Sequence, residues 1–144
     1  MCTVNQKEVK SPKIGYKVCR ITVYGGIVSF YKRTKWEKGT LTATNDSLTT
    51  VDNPDQVGFH CFKFLKDAIH FAKESRSEDG IAILKLILKE TKEAKVREGT
   101  TEIEIPIKDN SPCYVAPIAV WNGKIHKRIK CNGYFANDYA PLYN

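Results

Sequence analysis

The stretch IAILKLIL, residues 81–88, decides the fold. It is nearly continuous apolar, short, and preceded by Gly80. A run of this length and composition after a Gly reads as a central strand rather than as a helix. Working backwards from it, Phe62, Leu65, Ile69 and Ala72 step by three, four and three, which lines one face of a helix. Phe64, Ala68 and Phe71 widen that face, while Lys63, Lys66, Asp67 and Lys73 lie opposite. The spacing predicts one main helix over about 62–74, feeding a central strand.

Strand signals dominate on either side. Tyr16 to Ile21 alternates bulky and charged residues, and Gly25-Gly26 turns the chain into a returning strand over 27–31. Residues 40–57 are rich in Thr, Asn and Asp and read as a loop. Glu90 to Glu98 is charged and reads as a connecting turn or short helix, and Thr101 to Ile107 alternates Ile with Glu as a half-wet strand does. Cys113 to Trp121 reads as one further strand, with Pro117 at an edge or bulge. Asn122-Gly123 predicts a hairpin returning through Lys124 to Lys130, and Asn132-Gly133 a second such turn. Strands, one helix and more strands define an α+β class with a mostly antiparallel twisted sheet. Residues 1–13 are expected as a polar N-terminal tail or edge segment, and 14–144 as a single domain.

The 144 residues carry a net charge of +7, unevenly spread. Residues 1–40 hold nine Lys/Arg against two acids, 41–60 hold three Asp and no base, and 61–107 balance. That distribution invites an anionic partner, a nucleic acid or a phosphorylated small molecule. The balanced middle disfavours a broad nucleic-acid face. No run approaches the roughly 18 apolar residues of a membrane span, and the first 13 residues lack a signal-peptide core. A cytoplasmic protein without membrane partners is the expectation. The five scattered cysteines have no C-x-x-C spacing and read as reduced, buried thiols.

The candidate chemistry is sparse. No cysteine and histidine spacing suits zinc. There is no G-x-S-x-G and no phosphate-binding G-x-x-x-x-G-K-[ST]. Cys61 would sit beside the start of the helix, where a thiol pKa can fall. The basic aromatic stretch FYKRTKWEKG, residues 30–39, is the most suggestive element. Tyr31 and Trp36 are placed to stack on a base while Lys32 and Arg33 meet phosphate. KIHKRIK, residues 124–130, reads as an edge strand blunted by Lys. Gly58-Phe59-His60 is expected at a corner beside the helix N-terminus, where free N–H groups favour an anion. Arg20 would add a phosphate contact and Phe62 a wall.

The order Tyr16-Lys17, Trp36-Glu37-Lys38-Gly39, Gly58-Phe59-His60-Cys61-Phe62, Ala68 with Phe71, then Ile81 to Leu88 resembles small uncharacterised phage and prophage proteins with a G-F-H-x-C/F corner. The corner and helix are also similar to the ADP-ribosyltransferase fold, with Gly58, His60, Ala68 and Phe71 at its motif positions. That second resemblance implies Arg20 and Ser29 as first- and second-element residues, Glu102 or Glu104 as the late acid, and mono-ADP-ribosyl transfer from NAD. The first reading is a non-catalytic binder with no cofactor or metal. It would capture a phosphorylated nucleotide-type ligand through Arg20, Tyr31, Lys32, Arg33, Trp36, His60 and Phe62. By analogy with phage sponge proteins, that ligand would be an immune signalling nucleotide. A nucleic-acid-binding module is the further alternative. A homo-oligomer is expected, with the 113–121 strand and the aromatic C-terminal stretch as its interface.

Overall fold

The computed structural model describes residues 3–29, 34–43, 58–75, 79–96 and 111–130, with backbone alone at 3–6 and 94–96. In chain order the elements are β1 (Thr3–Glu8), β2 (Lys13–Ile21), β3 (Ile27–Ser29), β4 (Gly39–Thr42), β5 (Phe59–Phe62), α1 (Leu65–Glu74), β6 (Ile81–Lys89), β7 (Lys92–Val96), β8 (Pro112–Ala116), β9 (Ile118–Trp121) and β10 (Lys127–Ile129). They form an antiparallel sheet of order β1-β7-β8-β5-β2-β6-β9-β4, with β3 added to β2 and β10 to β6. Among the described residues one helix accompanies the sheet, so the α+β class holds, with sheet dominant.

Residues 81–88 are the central strand that their composition predicts. Ile81, Ile83, Leu84, Leu86 and Leu88 are all fully buried. β6 takes partners on both sides, with β2 on one edge and β9 followed by β10 on the other. β5, α1 and β6 make a crossover with β2 lying between the two strands.

Two apolar layers sandwich the sheet. On one face Val18, Phe62, Ile83 and Val115 pack with Ala68, Phe71 and Ala72 of α1. On the other face Cys19, Cys61, Leu84, Leu86, Tyr114 and Trp121 cluster with Trp36 and Phe59. The second layer is an interior because the sheet curls. β8 and β9 are separated only by Pro117, yet lie four strands apart in the sheet order. Four spacings of a flat sheet span about 19 Å, while Ala116 and Ile118 are two peptide units, at most about 7.6 Å, apart. The five strands β8-β5-β2-β6-β9 therefore bend round until their ends meet. Ala43 N donates to Pro117 O at 2.8 Å at that closure.

Several expectations are corrected. The Cys113–Trp121 segment is two strands, broken at Pro117, and each is paired on both edges. It is framework rather than an exposed interface strand. Lys92–Val96, within the expected turn or helix, is strand β7, reached through Glu90 at φ 55°. Asn122-Gly123 does not close a hairpin. β9 and β10 run along the same edge of β6, and residues 122–126 loop out between them. The Trp121 indole holds that loop by donating to Lys124 O at 2.9 Å. Thr3–Glu8 is an edge strand on β7 rather than a loose tail. Gly39–Thr42, at the start of the expected loop, is strand β4 on β9. The Thr22–Gly26 turn is as read, with Gly25 at φ 83° and Thr22 N donating to Gly26 O at 2.7 Å. The 101–107 strand and the Asn132-Gly133 turn lie outside the described residues. Among the described residues no helix is long and apolar enough to cross a membrane.

Candidate functional site

The edge of β2 that faces away from β6 is divided. β5 ladders with it at Tyr16 and Phe62 alone. β3 takes over the same edge from Cys19 to Ile21. Lys17 and Val18 lie between these two partners, at a notch where β5 gives way to β3. Period-2 alternation places Lys17 on the inward face with Gly15 and Cys19. Its Nζ reaches across the notch and donates to the His60 carbonyl at 2.9 Å.

Two more basic residues border the notch. His60 and Phe62 alternate with the inward Phe59 and Cys61, so His60 lies on the helix side of β5. It is half-buried, with Nδ1 buried. Arg20 lies on the helix side of β2, between Ile81 on one neighbour and Val28 on the other. Its Nε is likewise buried. Ser29, opposite Cys19, is the end of β3 nearest the notch, and its N donates to Thr34 O at 2.9 Å.

The expected site divides accordingly. Arg20 and His60 come to this region. Tyr31, Lys32 and Arg33 lie outside the described residues, between the described ends Ser29 and Thr34. Trp36 has a different part. It is 3% exposed, its ring centroid lies 5.0 Å from that of Phe59, and its Nε1 donates to Ser29 Oγ at 2.8 Å. Its ring therefore anchors the interior and offers no open face for a base to stack on. Phe62 is also core, 5.5 Å from Phe71 between sheet and helix. The corner reading of Gly58-Phe59-His60 changes too. Phe59–Phe62 is strand β5 and α1 starts only at Leu65, so His60 does not adjoin the helix N-terminus. Gly58 is needed for backbone reasons. Its φ is +134°, and a Cβ there would meet Val115 Cγ1 at 3.0 Å and Ala116 O at 3.1 Å.

Nucleophilic use of Cys61 is corrected by its surroundings. It is fully buried, and burial pushes its thiol up to about 11, with the Lys17 charge opposing. Cys19 and Cys113 are pushed up to about 12 by the same cause. All three are protonated, apolar-like core residues. Cys2 and Cys131 lie outside the described residues, as do Glu102 and Glu104. Among the described residues no three His, Cys, Asp or Glu side chains gather to hold a metal.

Beyond the notch, Lys63 Nζ and Glu93 Oε1 pair at 2.7 Å, tying the β5–α1 connection to β7. Their hydrogen bond raises the Lys63 pKa and lowers that of Glu93. Lys17 is the residue that sequence reasoning missed as a site member. Its signal was present, since it shares the inward period of Cys19 and Ile21, where an ammonium needs an outlet or a partner. No family model matches the chain, and no curated protein or solved structure matches it either.

Proposed function

We propose that the chain binds a phosphorylated nucleotide-type small molecule and performs no chemistry on it, with the ligand's phosphate at the β2 notch. The observation that supports this is the handover of the β2 edge from β5 to β3, which Lys17 reaches from the inward face while His60 and Arg20 stand on the helix side. A guanidinium presents a planar fork to phosphate oxygens, and an ammonium adds a compact charge with three donors, of which the His60 carbonyl takes one. Ser29, the last described residue before Lys32 and Arg33 in the sequence, stands at the same end of β3. Tyr31 is the stacking residue in this reading, since Trp36 is committed to the core. A captured signalling nucleotide, held rather than turned over, fits a binder of this kind.

Mass spectrometry of small molecules released from denatured, purified protein is the direct test. A nucleoside phosphate recovered intact is expected. Calorimetry with a panel of nucleoside phosphates should then show Arg33→Ala weakening binding by about ten- to hundredfold, the value of a hydrogen bond to a charged group. Labelled NAD converted or transferred to protein would favour the ADP-ribosyltransferase alternative. Affinity for single-stranded nucleic acid falling steeply with salt would favour the nucleic-acid module. If no nucleotide binds at all, the reading is wrong.

A further inference from the structure

The outer face of the sheet is only partly covered. α1 packs over Val18, Ile81 and Ile83. Further along the same face, Ile14 pairs with Ile87 and Ile87 with Val120, an apolar band in direct register across β2, β6 and β9, with Thr40 of β4 opposite Val120. Ile14 is 48% exposed and Ile87 46%. Apolar pairs in register on a wet face stand out on β6, whose Leu84, Leu86 and Leu88 already fill its inward side. Lys85 and Lys89, both exposed, flank Ile87 along β6. On this face β2, β6, β9 and β4 carry no Asp or Glu among the described residues.

We infer that this band is a docking surface for an amphipathic helix of a partner protein, one whose apolar stripe is edged by carboxylates. Charge selects the occupant. The stripe would lie on Ile14, Ile87 and Val120, and its acidic flanks would meet Lys85 and Lys89. A second copy packed face to face would instead bring the same lysines towards each other. A flat membrane surface is disfavoured by shape. α1, a rod about 10 Å across, stands on the same face, so a planar surface meets the helix before it reaches the band. A single rod lying beside α1 fits the step.

The probe is a fluorescein-labelled peptide of about 18 residues, five helical turns. It carries leucines at i, i+3, i+4 and i+7 with glutamates beside them, and its control carries lysines in their place. Anisotropy with the full chain should show the glutamate peptide binding and the lysine peptide failing to bind. Ile14→Ser with Ile87→Ser, and separately Lys85→Glu with Lys89→Glu, should each weaken binding by about tenfold or more, with unchanged far-ultraviolet circular dichroism. Four results overturn the proposal. They are no binding of the glutamate peptide, equal binding of both peptides, indifference to both variants, or a concentration-dependent dimer that Ile87→Ser dissolves. Co-sedimentation with phosphatidylserine vesicles, lost in the same variants, would assign the band to a membrane and overturn it equally.

Discussion

Along one edge β2 meets β6 in an unbroken register of eight pairs, from Lys13 with Leu88 to Arg20 with Ile81. Along the other edge it is shared between β5, at Tyr16, and β3, from Cys19. Both edges belong to the same nine residues, so the difference comes from the neighbours. β6 is long and apolar on its inward side, and a full ladder seals it. β5 is short, follows a glycine at positive φ, and meets the edge at Phe62 alone. The sealed edge carries stability. The divided edge is where an inward lysine reaches the carbonyl of a neighbouring strand, and it is where the proposed ligand would enter.

The sealed edge should break hardest. Leu84 lies opposite Lys17 and is fully buried. Leu84→Ala is expected to cost about 2–5 kcal/mol, read as a lowered urea midpoint. Lys17→Met, across the same pair but at the notch, should cost only about 1 kcal/mol, the net worth of one hydrogen bond. Equal costs would erase the contrast between the two edges.

Alkaline pH sharpens the comparison from within. The folded thiols of Cys19, Cys61 and Cys113 titrate at about 12, 11 and 12, above an ordinary value of 9.0, because burial disfavours the thiolate. Above pH 9 the unfolded chain gives up these protons and the folded chain keeps them. The stabilisation is thus complete below pH 9 and is lost as pH rises towards 11–12. It falls by up to about 1.4 kcal/mol per thiol per pH unit. In a Cys2→Ser, Cys131→Ser chain, Ellman's reagent at pH 8 should find no reactive thiol until denaturant is added. Urea midpoints should drop between pH 9 and 11, less steeply once Cys61 is also replaced by Ala.

Gly58 controls where β5 begins. Gly58→Ala should cost about 1–3 kcal/mol through backbone strain and the Ala116 carbonyl contact. Thermal melting measures the loss. An unchanged melt would mean that β5 can leave the edge without this glycine.

The smallest effect belongs to the Lys63–Glu93 pair, which is partly exposed. Glu93→Gln should cost about 0.2–1 kcal/mol. Because the lysine lowers the folded Glu93 pKa, its contribution is present above the ordinary glutamate value and fades as pH falls through the folded one. Urea midpoints between pH 5 and 3 should therefore fall less steeply in the variant.

The elements legible in the sequence are those whose signal is local. IAILKLIL, the Gly25-Gly26 turn and the body of α1 each declare themselves by composition or period. β7 did not, because Lys92-Glu93-Ala94-Lys95-Val96 shows little apolar alternation and is a strand through its neighbours β1 and β8. Asn122-Gly123 misled because the Trp121 indole and β6 capture the chain that a hairpin would have returned. Trp36 looked like a ligand residue amid basic neighbours. It alternates inward while Lys35 and Glu37 point out, a two-residue period hidden inside a charged run. The notch was not legible at all, since no local pattern says that β3 and β5 share one edge. Arg20 and His60 were read as ligand residues for other reasons, Arg20 as a phosphate contact and His60 at a helix corner that the structure does not form.

The bend at Pro117 has a consequence for how the chain is made. A ribosome delivers β2 and β6 early, and their long ladder is available to a chain truncated before residue 112. The interior is not. Trp36, Phe59 and Leu86 stay open on one side until residues 112–121 emerge and clasp both ends of the curl. Such late, sequence-distant closure belongs to slow folders. A nascent chain stalled before that point should bind hydrophobic dyes and chaperones, and lose both when the final quarter is released.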